Sequence, residues 1–363
     1  MNSKIKLLIL TGGPSTEHEV SLRSCKSITD TIDRSKYEIT LVGIEKSGRW
    51  ALLDMNNYLE SNPGEAFYKM KPSDREVSIG YKNGKTQLTE NGQVVKEVDV
   101  VFPVLHGAYG EDGVLQGILR SCNVAFVGVD LMASAIGMDK DVCKRLWRDA
   151  GIPIAAYEVI TLSDRSKYTY DLIRLRLGDT VFVKPANAGS SVGVHKVTDA
   201  ASFEYALNDA FLYDRKILIE EAVAGIEVEC AVLGNESPEA SVVGEIKPTH
   251  SFYSYEAKYV DEGGANIRIP AEISKSVSDL IRETAIKAYT AIGAEGLSRV
   301  DFFLRPDESI IINEINTMPG FTSISMYPKM WEATGLSFPD LIDRLISLGM
   351  ERHKVQSKLI KNR

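Results

Sequence analysis

The sequence predicts an α/β amino-terminal unit, a parallel sheet flanked by helices, followed by α+β units of increasingly antiparallel character. Three observations predict it. Short strand-like runs at 4–10 (KIKLLIL), 38–44 (EITLVGI) and 98–105 (VDVVFPVL) alternate with helical patterns at 17–33 and 113–122. Later runs such as KILIEEAV, IEVECAVLG and SVVGEIKP follow one another without intervening helices. The 363 residues suffice for two or three domains, at about 100–200 residues each.

Composition narrows the class. Hydrophobic residues make up 44% and charged residues 25%, which is ordinary globular usage and a poor fit to disorder or coiled coil. No apolar run approaches the roughly 18–20 residues of a bilayer crossing. The opening MNSKIKLLIL is broken by Lys4 and Lys6 and runs into Gly12-Gly13, so it reads as a buried strand rather than a signal peptide. A cytoplasmic protein without a membrane partner is expected. Forty-two basic against fifty acidic side chains give a net charge of −8, which disfavours nucleic acid as a partner. Any anionic ligand must then be held by a local cluster of Lys, Arg and backbone N–H groups. Cys25, Cys122, Cys143 and Cys230 lack metal or redox spacing and read as reduced, buried thiols.

Along the chain, 54–97 is richer in Gly, Asn, Lys and Glu and reads as an inserted or peripheral hairpin region. A helix opens at Asp139 and closes at Gly151-Ile152-Pro153. A second unit carries the strand TVFVKP (180–185), the loop ANAGSSVG (186–193), the strand GVHKV and a helix over 199–212. The run 216–223 leads into a third unit with a helix at 274–291 and a hairpin at 297–316. The basic tail 352–363 reads as a frayed terminus.

The strongest chemical signal is LSRVDFFLRPDESIIINEIN. Strands 298–305 and 310–316 flank the turn Pro306-Asp307-Glu308-Ser309. Symmetric pairing about that turn sets Asp301 opposite Glu314 and Arg299 opposite Asn316, all on one face, with Val300, Phe302, Ile311 and Ile315 on the other. Two carboxylates about 5 Å apart repel by roughly 3 kcal/mol at an effective dielectric near 20. Hard oxygens without His or Cys favour Mg²⁺ or Mn²⁺ as the neutralising charge. The bland alternative is a solvated face on which Arg299 simply pairs with Asp301.

Lys184 ends an apolar strand, and the Gly/Ser loop after it offers backbone N–H groups to phosphate oxygens. It is neither a Walker A nor a Rossmann loop, because no GxxxxGK[ST] occurs and a strand pattern follows. A plain hairpin is the alternative. Lys140 sits in the first turn of a helix, where the dipole disfavours a cation by about 0.3–1 kcal/mol and a phosphate would offset that. In LTGGPSTEHEVSL, Thr16-x-x-Glu19 fits a capping box, while the same Glu19 at a strand's carboxyl end could bind a substrate ammonium. His106 follows another strand end, where open parallel sheets bind ligands, although a lone His is more often structural. The aromatic stretch 249–270 reads as a lid.

Taken in order, GGPSTEHEVSL, HGAYGEDG, MDK, VKPANAGSSVGV, SFYSYEAKY, SRVDFF and NEINTMPGFTSISMYPKMW span nearly the whole chain. The sequence resembles D-alanine:D-alanine ligases of the ATP-grasp superfamily. The resemblance implies an amino-terminal α/β (pre-ATP-grasp) substrate domain at 1–128. A central ATP-grasp subdomain at 129–219 and a carboxy-terminal one at 220–363, with metal site and lid, would follow. Lys140 and Lys184 would hold ATP phosphates, Ser190 and Ser191 would cover the γ-phosphate, and Glu227 would bind the ribose. Glu220, Ala222, Val223 and Phe252 would meet the adenine. Asp301, Glu314 and Asn316 would ligate two Mg²⁺ or Mn²⁺ ions.

On the substrate side, the resemblance implies that Glu19 binds the ammonium of the first D-alanine, with His106 nearby. Arg299 and the Gly320 N–H would stabilise a tetrahedral oxyanion, and Lys258 and Ser325 would take the second carboxylate. Tyr259 would reach toward Ser190 and Glu19. FYSYEAKY and Met326 favour D-alanine as second substrate. Glu221 departs from members that carry Lys beside the adenine. A homodimer is implied. Rival readings are another ATP-grasp carboxylate–amine ligase and a nucleotide-binding protein without turnover.

Overall fold

The computed structural model describes residues 3–61, 67–248 and 265–360. In the amino-terminal unit the chain runs β1 (Ile5–Gly12), α1 (His18–Thr31), β2 (Tyr37–Ile44), β3 (Trp50–Leu53), β4 (Leu59–Glu60) and β5 (Lys69–Met70). It continues through β6 (Ser78–Lys82), β7 (Lys85–Glu90), β8 (Gln93–Glu97), β9 (Val100–Val104), α2 (Val114–Ser121) and β10 (Ala125–Phe126). The main sheet has the order β10-β9-β1-β2-β3, parallel as far as β2 and ended by antiparallel β3. Leu7, Leu8, Ile9 and Leu10 are all at most 1% exposed, because a central parallel strand is covered on both faces. The 54–97 stretch supplies the meander β6-β7-β8, whose Leu88 joins Leu8 and Leu10 in one apolar cluster.

Next come α3 (Leu131–Met138), α4 (Lys140–Asp149), β11 (Tyr157–Thr161), α5 (Tyr170–Leu177), β12 (Val181–Pro185), β13 (His195–Val197), α6 (Ala200–Ala210) and β14 (Lys216–Glu221). The strands form an antiparallel sheet of order β11-β14-β12-β13. Val181, Val183, Ile217 and Ile219 bury one face against Phe203 and Ala206 of α6. The period of two therefore assigns Lys184 and Glu220 to the opposite face. Because β14 ends at Glu221, the expected 219/220 domain boundary falls inside a strand of this sheet.

The last unit contains β15 (Ile226–Gly234), β16 (Glu239–Pro248), β17 (Ala265–Arg268), α7 (Lys275–Ala291), β18 (Gly296–Leu304), β19 (Ile310–Asn316), α8 (Met326–Thr334) and α9 (Phe338–Ser357). Its antiparallel sheet has the order β17-β16-β15-β18-β19. One face, with Val228, Cys230, Val300, Phe302 and Ile312, packs on Ile281, Ala285 and Tyr289 of α7. The other face is divided. Ala231, Leu233 and Leu297 pack with Tyr327, Met330 and Trp331 of α8, while the stretch carrying Glu227, Glu229, Asp301 and Glu314 is left for polar chemistry.

The carboxy terminus departs from its expected fraying. Helix α9 continues to Ser357, and Arg352 is 4% exposed. Its guanidinium donates to the Gly128 and Phe126 carbonyls and lies over the Phe126 ring, 4.5 Å from the centroid. A basic residue in a terminal run is thus a brace between the last helix and the end of the first unit. Gly349, one turn earlier, allows that approach, since a Cβ there would lie 2.5 Å from the Phe126 carbonyl oxygen. Gly349→Ala sets a helix-propensity gain of about 1 kcal/mol against overpacking of about 1–3 kcal/mol. Because the obstacle is backbone, a net loss of stability is expected, read as a lowered urea midpoint.

Candidate active site

The site begins with sheet register. Pairing of β15 with β18 and β18 with β19 places Glu227 beside Phe303, Glu229 beside Asp301, Asp301 beside Glu314 and Arg299 beside Asn316. Laterally paired residues share a face, so an arginine, four carboxylates and an amide occupy one surface. The Asp301–Glu314 pairing is the expected one, but the route to it is not. Near the turn the register is one residue short, Leu304 pairing with Ile310, and a bulge at Asn313 restores it. The bulge also reverses one expectation, for Ile311 lies on the Asp301 side and Ile312 takes its place in the core.

Arg299 lies at the centre of this face. Its Nε and Nη2 donate to the two Asp301 oxygens, both at 2.7 Å, and Nε also lies 3.0 Å from Glu229 Oε2. Asn316 Nδ2 donates to Asp301 Oδ2 at 3.1 Å. Burial opposes the guanidinium charge, but Asp301 and Glu229 outweigh it and keep the group firmly protonated.

Across from this surface lie three lysines. Lys184 Nζ donates to Glu220 Oε2 at 2.7 Å, and Lys144 Nζ lies 3.1 Å from Glu220 Oε1. Burial opposes the charge on Glu220, yet the two ammonium groups draw its pKa to about 2. Lys184, also disfavoured by burial, is held above its ordinary value by Glu220. Lys140 follows the Asp139 cap of α4; its Nζ donates to the Ala188 carbonyl at 2.6 Å and lies 4.0 Å from Glu314 Oε2. Burial lowers its pKa, an effect that Glu314 only partly offsets. The chain therefore brings Lys140 and Lys184 to the edge of the Arg299 face, as candidate phosphate ligands require.

The loop 186–193 reaches from the second unit to the first. Ser190 and Ser191 hold φ of 51° and 60°, a left-handed conformation that non-glycine residues adopt at some cost and that concentrates at functional sites. Ser190 Oγ donates to Glu17 Oε1 at 2.5 Å. Small residues make room for that carboxylate: a Cβ on Gly107 would lie 2.4 Å from Glu17 Oε2, and one on Gly189 3.5 Å away. Here the sequence reading is corrected. Helix α1 starts at His18 with Glu17 at its cap position, one residue later than the Thr16-x-x-Glu19 box requires. Two residues along a helix are about 200° apart, so Glu19 is turned to Lys46, 2.6 Å away, while Glu17 meets the loop. The neighbouring HGAYGEDG segment adds Glu111, which accepts from the Gly107 N–H at 2.7 Å. Burial, reinforced by the charge of Glu17, raises its pKa well above the carboxylate range.

His106 is buried and both ring nitrogens are engaged, Nδ1 with the Met318 carbonyl at 2.9 Å and Nε2 with Ser24 Oγ at 3.0 Å. Burial lowers its pKa, favouring the neutral ring. Ser325 Oγ interacts with the Thr322 N–H at 3.1 Å and the Thr322 hydroxyl at 2.8 Å, beside Gly320. Met326 packs against Gly244 within the α8 core. Ala222 donates its N–H to the Thr180 carbonyl at 3.2 Å. Phe252, Lys258 and Tyr259 lie outside the described residues.

Among the described residues no three His, Cys, Asp or Glu side chains form a ready metal cage. The set of Asp301, Glu314 and Asn316 nevertheless fits Mg²⁺ or Mn²⁺, which bind through one or two carboxylates and take remaining oxygens from phosphates and water. No described helix is long and apolar enough to cross a membrane.

Comparison with known proteins decides the family. Residues 6–129 match the D-ala D-ala ligase N-terminus family model and residues 146–347 the D-ala D-ala ligase C-terminus model. The chain belongs to the D-alanine–D-alanine ligase family. It is 48% identical over 361 residues to D-alanine–D-alanine ligase A of Salmonella typhimurium, covering 98% of this chain and 99% of that one. It is 47% identical over 362 residues to the D-alanine–D-alanine ligase of Oceanobacillus iheyensis, covering 99% of both. The Coxiella burnetii D-alanine–D-alanine ligase structure superposes with a TM-score of 0.83 at 36% identity, covering 99% of this chain and 98% of that one. The VanG D-Ala:D-Ser ligase of Enterococcus faecalis gives 0.82 at 34%, covering 96% and 100%.

Within this ligase family's fold, the residues that sequence reading missed are Glu17, Lys144, Glu229 and Ser24. Glu229 had a visible signal, since IEVEC puts it on the strand face of Glu227. Lys144 had one too, a single helical turn after Lys140.

Two outcomes are expected. Glu17→Gln should lower turnover about 100-fold or more, while Glu19→Gln, at a surface ion pair worth about 0–1 kcal/mol, should stay within about threefold of the parent; steady-state kinetics decides. Glu220 has a folded pKa of about 2 against an ordinary 4.5. Its stabilising contribution is full above that ordinary value and is lost as pH falls toward 2. Urea midpoints should therefore fall more steeply below about pH 4.5 in the parent than in Glu220→Gln.

Proposed function

We propose that the chain condenses two D-alanine molecules to D-alanyl-D-alanine with conversion of ATP to ADP and phosphate, supplying peptidoglycan precursor synthesis in the cytoplasm. The observation that carries this reading is the facing of Lys140 and Lys184 toward the Arg299–Asp301–Glu314–Asn316 surface. Such a cleft accepts a nucleotide's phosphates on one side and the charge of the transferring group on the other.

The first D-alanine carboxylate attacks the γ-phosphorus, ADP departs, and an acyl phosphate remains. The amine of the second D-alanine adds to its carbonyl, phosphate leaves, and the amine proton is lost. Glu17, in place of Glu19, holds the ammonium of the first substrate, and its hydrogen bond to Ser190 draws the 186–193 loop over the reacting phosphoryl group. Lys140 and Lys184 bind phosphate oxygens. Arg299, fixed by Asp301 and Glu229, faces the developing oxyanion together with the Gly320 N–H. Ser191 lines the same loop, Glu227 takes the ribose, and Ala222 and Val223 border the adenine with Phe252. Glu220 acts there through Lys184. Asp301, Glu314 and Asn316 hold two Mg²⁺ or Mn²⁺ ions, which supply neutralising charge to the phosphates. Ser325 and Lys258 take the second carboxylate, Tyr259 closes on Ser190 and Glu17, and Met326 backs that subsite. The protein works as a homodimer.

Incubation with ATP, Mg²⁺ and a panel of D-amino and D-hydroxy acids, followed by product analysis, should yield D-alanyl-D-alanine. A mixed product with D-serine would shift the reading toward the substrate in the Enterococcus faecalis relative's name, and ATP binding without turnover would sink it. Glu314→Gln should abolish turnover while moving the urea midpoint little, since Glu314 is half-buried at the cleft.

A further inference from the structure

One hydrogen-bonded chain crosses from the first unit to the turn that follows β19 and contains no group yet assigned to the reaction. Phe321 N–H donates to Ser24 Oγ at 3.3 Å, Ser24 Oγ lies 3.0 Å from His106 Nε2, and His106 Nδ1 lies 2.9 Å from the Met318 carbonyl. The direction of every link follows from chemistry. A carbonyl only accepts, so His106 Nδ1 carries the proton; the neutral ring then accepts at Nε2, and the Ser24 hydroxyl donates to it while accepting from Phe321. Every bond is used once and the circuit begins and ends on the same four-residue segment, Met318–Phe321. Ser24 is 0% and His106 3% exposed, so water does not substitute for either partner.

That segment carries Gly320. Its two ends are therefore gripped from the amino-terminal unit, one through a carbonyl and one through an N–H, while Phe321 is wedged against Phe102, Tyr327 and Phe338. We infer that Ser24 is a positioning residue: through His106 it fixes the Met318–Phe321 turn so that the Gly320 N–H is aimed before substrate arrives. This rests on the proposed oxyanion role of Gly320, and it makes His106 a holder of the turn instead of an acid or base. Preorganised donors act only if they are already aimed when charge develops, so loss of the clamp is expected in kcat rather than in substrate capture.

Ser24→Ala tests this. Expected are a kcat at least tenfold lower, KM values for ATP and D-alanine within about twofold of the parent, and faster amide hydrogen exchange at 320 and 321. Ser24→Cys, of similar size but a poor hydrogen-bonding partner, should give an intermediate loss in both readouts and serves if the alanine variant folds poorly. Unchanged exchange at the turn would overturn the clamp. Faster exchange with unchanged kcat would overturn the catalytic part of the inference and trace the fault to the Gly320 assignment, because the clamp would then be real but idle.

Discussion

The constraint on which the rest depends is the cost of keeping many charges out of water. Lys140, Lys144, Lys184, Arg299, Glu220, Glu229 and Asp301 are all buried or nearly so, and an isolated charge in such a place is untenable. The fold meets this by alternating sign: Lys144 and Lys184 clamp Glu220, while Asp301 and Glu229 clamp Arg299. Lys144, Lys184 and Arg299 then keep defined positions before any ligand binds, and the carboxylates beside Lys184 and Arg299 hold those two in the charged form. Preorganisation of this kind lets a cleft stabilise a transferring phosphoryl group without rearranging itself at the moment of reaction.

That cleft is assembled from three separately built sheets. The carboxy-terminal sheet supplies the acidic face, the central sheet and α4 supply lysines, and the amino-terminal unit supplies Glu17, His106 and Ser24. Polar contacts between units include Ser190 with Glu17, His106 with Met318, Lys36 and Tyr37 with Asp343, and Arg352 with the carbonyls of 126 and 128. Core packing sets where the strands lie and also joins the first unit to the last, for Leu7, Ile9 and Phe102 share one apolar cluster with Phe321, Tyr327 and Leu341, and the polar contacts fix how the units align.

Most of the architecture was legible because it rests on period and spacing. Strand alternation revealed the apolar and polar faces of the hairpin, and the Asp301–Glu314 pairing follows from it. What was not legible depended on events one residue wide. Glu17 and Glu19 are both strand-end carboxylates in sequence; only the helix start at His18 decides which one turns inward. The place of Ile311 hinged on a bulge that no local composition announces. Arg352 looked like a solvated tail because its partners are main-chain carbonyls more than 200 residues away. The Ser24 circuit was invisible for the same reason, since backbone groups leave no mark in a sequence.

The bulge at Asn313 carries one more consequence. Because the short register near the tip and the extra residue in β19 cancel, Asp301 and Glu314 meet in the register that symmetric pairing about 306–309 would give. With residue 313 removed, Glu314 would follow Ile312 directly and still fall opposite Asp301, so the bulge adds a local bend beside the acidic face without deciding which side Glu314 takes.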